Sequence, residues 1–192
     1  MQLRLQSMTI KIDSLFIELL KDNDRAAQRI LYEAMFAPMF KVCKRYCKDN
    51  EEAMDVFNKG LYKVLTNIYQ YEGKGSFEGW IRRIIVNTAL DNIKSQQKYK
   101  DNILLQDKLD HNKQEETDDD YFEIGIETDK LYELIRSLPP ASSAVFNLYV
   151  FEEYTHKEIA EELGISQGTS KWHLANARQK LKDKVKKITK NV

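Results

Sequence analysis

The chain has 192 residues, 42% of them hydrophobic and 31% charged, and a formal net charge of zero. That is room for one large domain or two small ones, and the scarcity of glycine and proline beside abundant Ala, Leu, Lys and Glu favours helices over strands. No run of about 18 apolar residues is present to cross a membrane, and the first thirteen residues lack the apolar core and cleavage site of a secretory leader, so the expected compartment is the cytoplasm.

From Ile12 to Lys100 the apolar residues recur at helical spacing. Ile12, Leu15, Phe16, Leu19 and Leu20 form a first stripe. Ile30, Leu31, Met35, Met39, Val42 and Tyr46 form a second. Val56, Phe57, Leu61, Val64, Leu65 and Ile68 form a third. The stretch Tyr71-Glu-Gly-Lys-Gly-Ser-Phe77 interrupts the pattern, and Trp80, Ile81, Ile84, Ile85, Thr88, Leu90 and Ile93 resume it. Helices with one apolar stripe and a polar back should pack on one another as a small bundle. Cys43 and Cys47, four apart on a helix, lack disulfide geometry. No second pair of ligands accompanies them, so they are expected to be buried, inert thiols with no metal.

The neutral total hides an uneven distribution. Between residues 101 and 129 the only bases are Lys108 and Lys113, among acids that include the run Asp118-Asp119-Asp120. Such a segment cannot bury enough surface to offset its ordering entropy, so residues 101–127 read as a flexible acidic linker. A short helical turn is conceivable at Ile103–Leu109, and the aspartate run reads as solvated charge rather than a metal site. Beyond Gly168 the balance inverts: Lys171, Arg178, Lys180, Lys182, Lys184, Lys186, Lys187 and Lys190 face only Asp183. A basic segment of this kind is an electrostatic footprint for nucleic acid, with a solvated helix face as the plainer alternative.

Order is expected to return at Thr128. Leu131, Leu134, Ile135 and Leu138 give one helix, ended by Pro139-Pro140. Ala144, Val145, Leu148, Tyr149 and Phe151 give another. Thr155-His-Lys-Glu158 is a capping box. The helix it opens points Ile159, Ala160 and Leu163 inward and stops at Gly164, with the Ala160/Gly164 spacing leaving room for a close helix crossing. Ser166 caps a second helix, whose Ser170, Leu174, Ala177 and Leu181 form the inward face. This is the pattern of a DNA-reading helix-turn-helix. Its outer face is expected to offer Lys171, Trp172, His173, Ala175, Asn176 and Arg178. Asparagine can bond adenine at two points, and Lys and Arg can bond guanine or phosphate. A helical hairpin that packs on another protein is the alternative.

The residues Leu134-Ile-Arg-Ser-Leu-Pro-Pro140, Tyr154 through Lys171, and Leu174-Ala-Asn-Ala-Arg178 resemble region four of the extracytoplasmic-function (ECF) sigma factors of bacterial RNA polymerase. Glu51-Glu-Ala-Met-Asp-Val56 and the block Gly75-Ser-Phe-Glu-Gly-Trp-Ile-Arg-Arg-Ile-Ile-Val-Asn-Thr-Ala-Leu-Asp91 resemble region two of the same family. The resemblance spans nearly all of residues 24–185. It implies an all-α chain of two small helical domains: region two at 12–100 and region four at 128–188, joined by the acidic linker.

The resemblance also implies partners and sites. Core RNA polymerase and promoter DNA would be bound, with room for an anti-sigma factor; the free chain would be a monomer without membrane insertion or cofactor, and would catalyse nothing. Polymerase would bind the helix around Asp55, with Val56, Asn58, Leu61 and Leu65. The minus-ten element would be read and opened by Tyr71, Gly75, Ser76, Phe77, Trp80, Arg82, Arg83, Asn87, Asp91 and Lys94. Tyr69 and Lys74 would assist at the loop, and Lys98 would extend the face of Asn87, Asp91 and Lys94. The minus-thirty-five element would be read by Ser166, Thr169, Lys171, Trp172, His173, Asn176 and Arg178. The chain departs from the family pattern at Asn58 and Lys59, which bears on polymerase binding, at Ser170 on the inward face, and at His173 and Asn176, so a relative's promoter sequence does not transfer.

A competing reading is a helix-turn-helix repressor or activator that binds DNA as a dimer. It gives no reason for aromatic residues flanked by arginines on a loop. An enzyme would need spaced metal ligands, a phosphate loop or a nucleophile beside a histidine, and none of these is apparent.

Overall fold

A computed structural model describes residues 14–95 and 128–189, all helices and turns among those residues. The helices are α1 (Ser14–Lys21), α2 (Arg25–Tyr46), α3 (Asn50–Thr66), α4 (Phe77–Ser95), α5 (Thr128–Arg136), α6 (Pro140–Val150), α7 (His156–Leu163) and α8 (Gln167–Thr189), with a 3-10 turn at Ile68–Gln70. Ile12, Lys98 and the expected linker at 101–127 lie outside the described residues. The described chain forms two compact units, one from residues 14–43 and 54–88, the other from 44–53, 89–95 and 128–189.

In the first unit, α2 starts where the carboxylate of Asp24 accepts the amide of Ala27 at 2.8 Å, a side-chain cap on an otherwise orphaned donor. The core is built by Leu31, Met35 and Met39 of α2, Val56, Phe57 and Val64 of α3, and Ile81 and Ile85 of α4, all buried. Phe57 meets Tyr32 and Phe36 edge to face, at 5.5 and 5.4 Å between ring centroids, the arrangement ring quadrupoles favour. The first stripe is wider than the face it buries. Leu20 is buried, whereas Leu15 and Leu19 are exposed, because α1 is short and packs on the 3-10 turn. Cys43 and Cys47 are buried and form no disulfide.

In the second unit, α3 starts under a similar cap, with Asp49 accepting the amide of Glu52 at 2.8 Å. Arg45 and Glu152 form an almost fully buried ion pair at 2.6 Å, and the Arg45 guanidinium lies over the Phe151 ring. Pro140 is the first residue of α6, where its missing amide hydrogen costs nothing. Helix α8 is the spine, packed by α5, α6 and α7. Tyr132, Leu134, Ile135 and Leu138 meet Ala177, Leu181 and Val185 in one apolar cluster. No helix among the described residues is long and apolar enough to span a membrane.

Candidate functional site

Three surfaces carry the residues singled out above. The first is the outer face of α3. Asp55, Asn58 and Lys59 are exposed, and Tyr62, seven residues after Asp55 and hence on the same face, is 68% exposed. Val56 and Leu61 do not belong to this surface. Both are buried in the core, since an apolar residue next to Asp55 in sequence points about 100° away from it on a helix. Leu65 is half-buried. The aromatic group on the face of the acid is therefore Tyr62, two turns further along α3, which the apolar stripe did not reveal although its spacing from Asp55 could have.

The second surface surrounds the loop before α4. Gly73 and Gly75 both have positive φ, at 75° and 80°, a region that penalises a Cβ. The loop is braced rather than loose: the Tyr71 hydroxyl donates to the carbonyl of Gly75 at 3.0 Å. Ser76 caps α4 by accepting the amide of Gly79 at 3.0 Å. Phe77 is the first residue of that helix and is only 5% exposed, which corrects its expected place on the loop as an open stacking face. Its ring packs against Tyr71 at 5.0 Å and Trp80 at 5.8 Å. Tyr71 and Trp80 remain half-buried, while Lys74 and Arg83 are exposed and Arg82 is half-buried. Tyr69 is exposed, with its hydroxyl on the carbonyl of Lys21. Along α4, Asp91 is exposed and Asn87 half-buried. Lys94 donates to the main-chain oxygen of Glu162 at 2.8 Å, so its ammonium is already engaged.

The third surface is built by α7, its turn and α8. Thr155 and Glu158 close both bonds of the capping box: Thr155 Oγ1 accepts the Glu158 amide at 3.3 Å, and Glu158 accepts the Thr155 amide at 2.8 Å. Gly164 ends α7 in the left-handed region, φ 68° and ψ 38°. An added Cβ there would touch nothing, so the glycine serves the turn and not a close helix crossing. Ser166 caps α8 through the Thr169 amide at 3.0 Å, and the Ser166 and Thr169 hydroxyls bond each other at 2.8 Å.

Ser170, Leu174, Ala177 and Leu181 form the inward face of α8. His173 joins them: it is 0% exposed and is not part of the outer face. The correction follows from spacing, since His173 lies three residues after Ser170 and four before Ala177. What remains outside is Lys171, exposed, with Trp172, Ala175, Asn176 and Arg178 half-buried. The Arg178 guanidinium lies 5.8 Å from the Tyr149 ring centroid, and that ring stacks on His156 at 4.8 Å. His156 Nδ1 is 2.9 Å from Ser170 Oγ. Burial, then the charges of Lys171 and Arg178, holds this imidazole below its ordinary range. An exposed lysine and a positioned guanidinium beside the positive end of a helix suit an anionic ligand.

Two family models match the chain: Sigma-70 region 2 over residues 31–99 and Sigma-70 region 4 over residues 128–181. Among curated proteins it is similar to the ECF RNA polymerase sigma factor SigE of Mycolicibacterium smegmatis, 26% identical over 76% of this chain and 56% of that protein. It therefore spans little more than half of that relative. It is 25% identical to RNA polymerase sigma factor SigV of Bacillus subtilis over 72% of this chain and 78% of that one. It is 23% identical to the ECF RNA polymerase sigma-E factor of Haemophilus influenzae over 92% and 96%. Among solved structures, RpoE of Bartonella quintana in complex with the anti-sigma factor NepR shares the fold, with a TM-score of 0.51 and 14% identity over 82% of this chain and 96% of that one.

Proposed function

This chain belongs to the extracytoplasmic-function family of sigma factors, and from that premise we infer that it directs core RNA polymerase to specific promoters and starts transcription there. The observation that carries this reading is the order of the two matched regions in one chain, region two followed by region four. The chain makes no bond itself. It supplies binding and leaves the chemistry to polymerase, in the cytoplasm.

The three surfaces fall into separate tasks. The outer face of α3, with Asp55, Asn58, Lys59 and Tyr62, holds polymerase: an exposed carboxylate on the same face as an aromatic gives a charge-assisted bond at the rim of an apolar contact. The α7–turn–α8 unit enters the major groove at the minus-thirty-five element, where Lys171, Trp172 and Asn176 reach base edges and Arg178 meets phosphate. The Ser166–Thr169 cap fixes where α8 begins and so how deep these side chains reach. Near the minus-ten element, Tyr71 and Trp80 receive an unstacked base while Lys74, Arg82 and Arg83 follow the phosphates. Asn87 and Asp91 continue that face along α4. An anti-sigma factor is a further expected partner, as one is bound to the solved RpoE relative, and the chain free of both partners is expected to be a monomer.

Run-off transcription tests the reading. The purified chain with core polymerase should produce transcripts from a subset of promoter fragments that core alone does not start. A chain that binds DNA as a symmetric dimer and elicits no transcript from core on any fragment would overturn it.

A further inference from the structure

A hydrogen-bonded relay runs through the core beneath the outer face of α8. The Asn176 amide nitrogen, Nδ2, donates to Ser142 Oγ at 3.2 Å, and Ser142 Oγ lies 3.0 Å from His173 Nδ1. Ser142 and His173 are both 0% exposed, while Asn176 is half-buried at the margin of the outer face. Ser142 stands on α6 and the other two on α8, so the relay ties the asparagine to a different helix.

The Ser142 hydroxyl has the valences to bond both neighbours at once. A serine hydroxyl has one hydrogen and two lone pairs. With one lone pair accepting from Asn176, the hydroxyl keeps its hydrogen and its second lone pair, so it can bond His173 Nδ1 in either tautomer of the imidazole. A carboxamide in solvent can present either its oxygen or its nitrogen on a given side. Here the nitrogen is drawn inward by Ser142, so the side chain keeps one outward arrangement: Oδ1 and the second hydrogen of Nδ2. Those are the acceptor and donor that the N6 and N7 edge of adenine takes up together. Burying two polar side chains in a helical core is costly unless each is satisfied, and an apolar pair would fill the space without orienting anything.

We propose that Ser142 and His173 are positioning residues for promoter readout, which set the Asn176 carboxamide in one orientation through this relay. The inference rests on the reading that α8 contacts bases. It makes base preference depend on a side chain of α6 that touches no DNA.

The test uses the full chain bound to core polymerase and a panel of promoter fragments in which each base pair of the upstream element is varied. The readouts are the preference at each position, the affinity for unrelated DNA and the thermal midpoint of the free chain. Asn176→Ala should lower the preference at one base pair about tenfold. Ser142→Ala removes a single oxygen and takes the partner from buried His173 Nδ1, so the midpoint should fall somewhat; the preference at that same base pair should drop severalfold while the affinity for unrelated DNA stays near its original value. Combined with Asn176→Ala, it should cause no further loss, the mark of two groups acting as one. A Ser142→Ala variant that weakens all fragments alike, or whose loss adds fully to that of Asn176→Ala, overturns the proposal. If Asn176→Ala changes no preference but Lys171→Ala does, base reading by α8 stands and the relay has no part in it. If neither changes any preference, the reading of α8 as a base-contacting helix fails, and the relay's role with it.

Discussion

His156 Nδ1 lies 2.9 Å from Ser170 Oγ, a bond that joins the first residue of α7 to the inward face of α8. The imidazole sits among positive charge from Lys171 and Arg178 and against the Tyr149 ring. Burial and those two charges lower its pKa from the ordinary value of 6.5. The native state therefore resists protonation more than the unfolded chain. As pH falls below about 6.5, the unfolded chain takes up the proton first, so His156 subtracts stability there and contributes nothing well above that value. The expected outcome is a His156 resonance that titrates below the ordinary range in an NMR pH series. His156→Gln should flatten the loss of stability on acidification, and Lys171→Met should move the titration upward. A titration at the ordinary value, unmoved by Lys171→Met, would count against this account.

The capping box at the start of α7 should be a measurable part of the stability of the second unit. Thr155→Ala removes the acceptor for the Glu158 amide and leaves that donor to water. The expected loss is about 0.5–2 kcal/mol in chemical denaturation, and Thr155→Ser should recover most of it. Equal losses for alanine and serine would mean that the threonine methyl, not the cap, is what matters.

Polymerase binding should divide cleanly along α3. Asp55→Ala and Tyr62→Ala change exposed side chains of one face, so each should weaken association with core polymerase while sparing the fold. Val56→Ala and Leu61→Ala should instead lower stability, by about 1–3 kcal/mol, because both residues are buried. A pull-down with core polymerase beside thermal denaturation of each variant separates the two classes. Full affinity in a folded Asp55→Ala, Tyr62→Ala double variant would place the anchor elsewhere.

Much of this was legible from the residues alone, for reasons particular to each. Helix positions followed from apolar spacing, and the capping box, the Gly164 turn and the Ser166 cap each have a local chemical signature that survives in the structure. Facing was read less well. His173 is expected on the outer face, but its spacing from Ser170 and Ala177 places it inside, where its Nδ1 bonds Ser142. Val56 and Leu61 were assigned to a surface for their proximity in sequence to Asp55. Phe77 was assigned to the loop because the preceding serine was not recognised as the cap that starts α4. The Asn176–Ser142–His173 relay could not be read at all, since it joins Ser142 to a residue 34 positions later in the chain and depends on how α6 packs on α8.

Promoter opening should depend on the braced loop before α4 and on two of its three rings. Phe77 is the buried floor of the cluster, and Tyr71 and Trp80 are its half-exposed members. Removing the floor should disturb the start of α4, so Phe77→Ala is expected to lose stability first and opening only as a consequence. Trp80→Ala and Tyr71→Ala should act differently. An unstacked base held on an aromatic face gains about 1–3 kcal/mol, so each loss should reduce opening roughly 5- to 150-fold while polymerase association through α3 persists. Gly75→Ala tests the loop itself: an alanine at φ 80° is strained although it has open space around it, so the loop and the Tyr71 hydroxyl bond to its carbonyl should both shift. Permanganate reactivity of unpaired thymines reports opening. In all three variants it should fall on duplex promoters and recover in part on a template already mismatched at the minus-ten element, because the mismatch supplies the unstacking that the rings no longer offset. Normal reactivity on duplex promoters in the Trp80→Ala and Tyr71→Ala variants would mean that bases are captured elsewhere. Failure to recover on the mismatched template would mean instead that these residues act before opening, at binding.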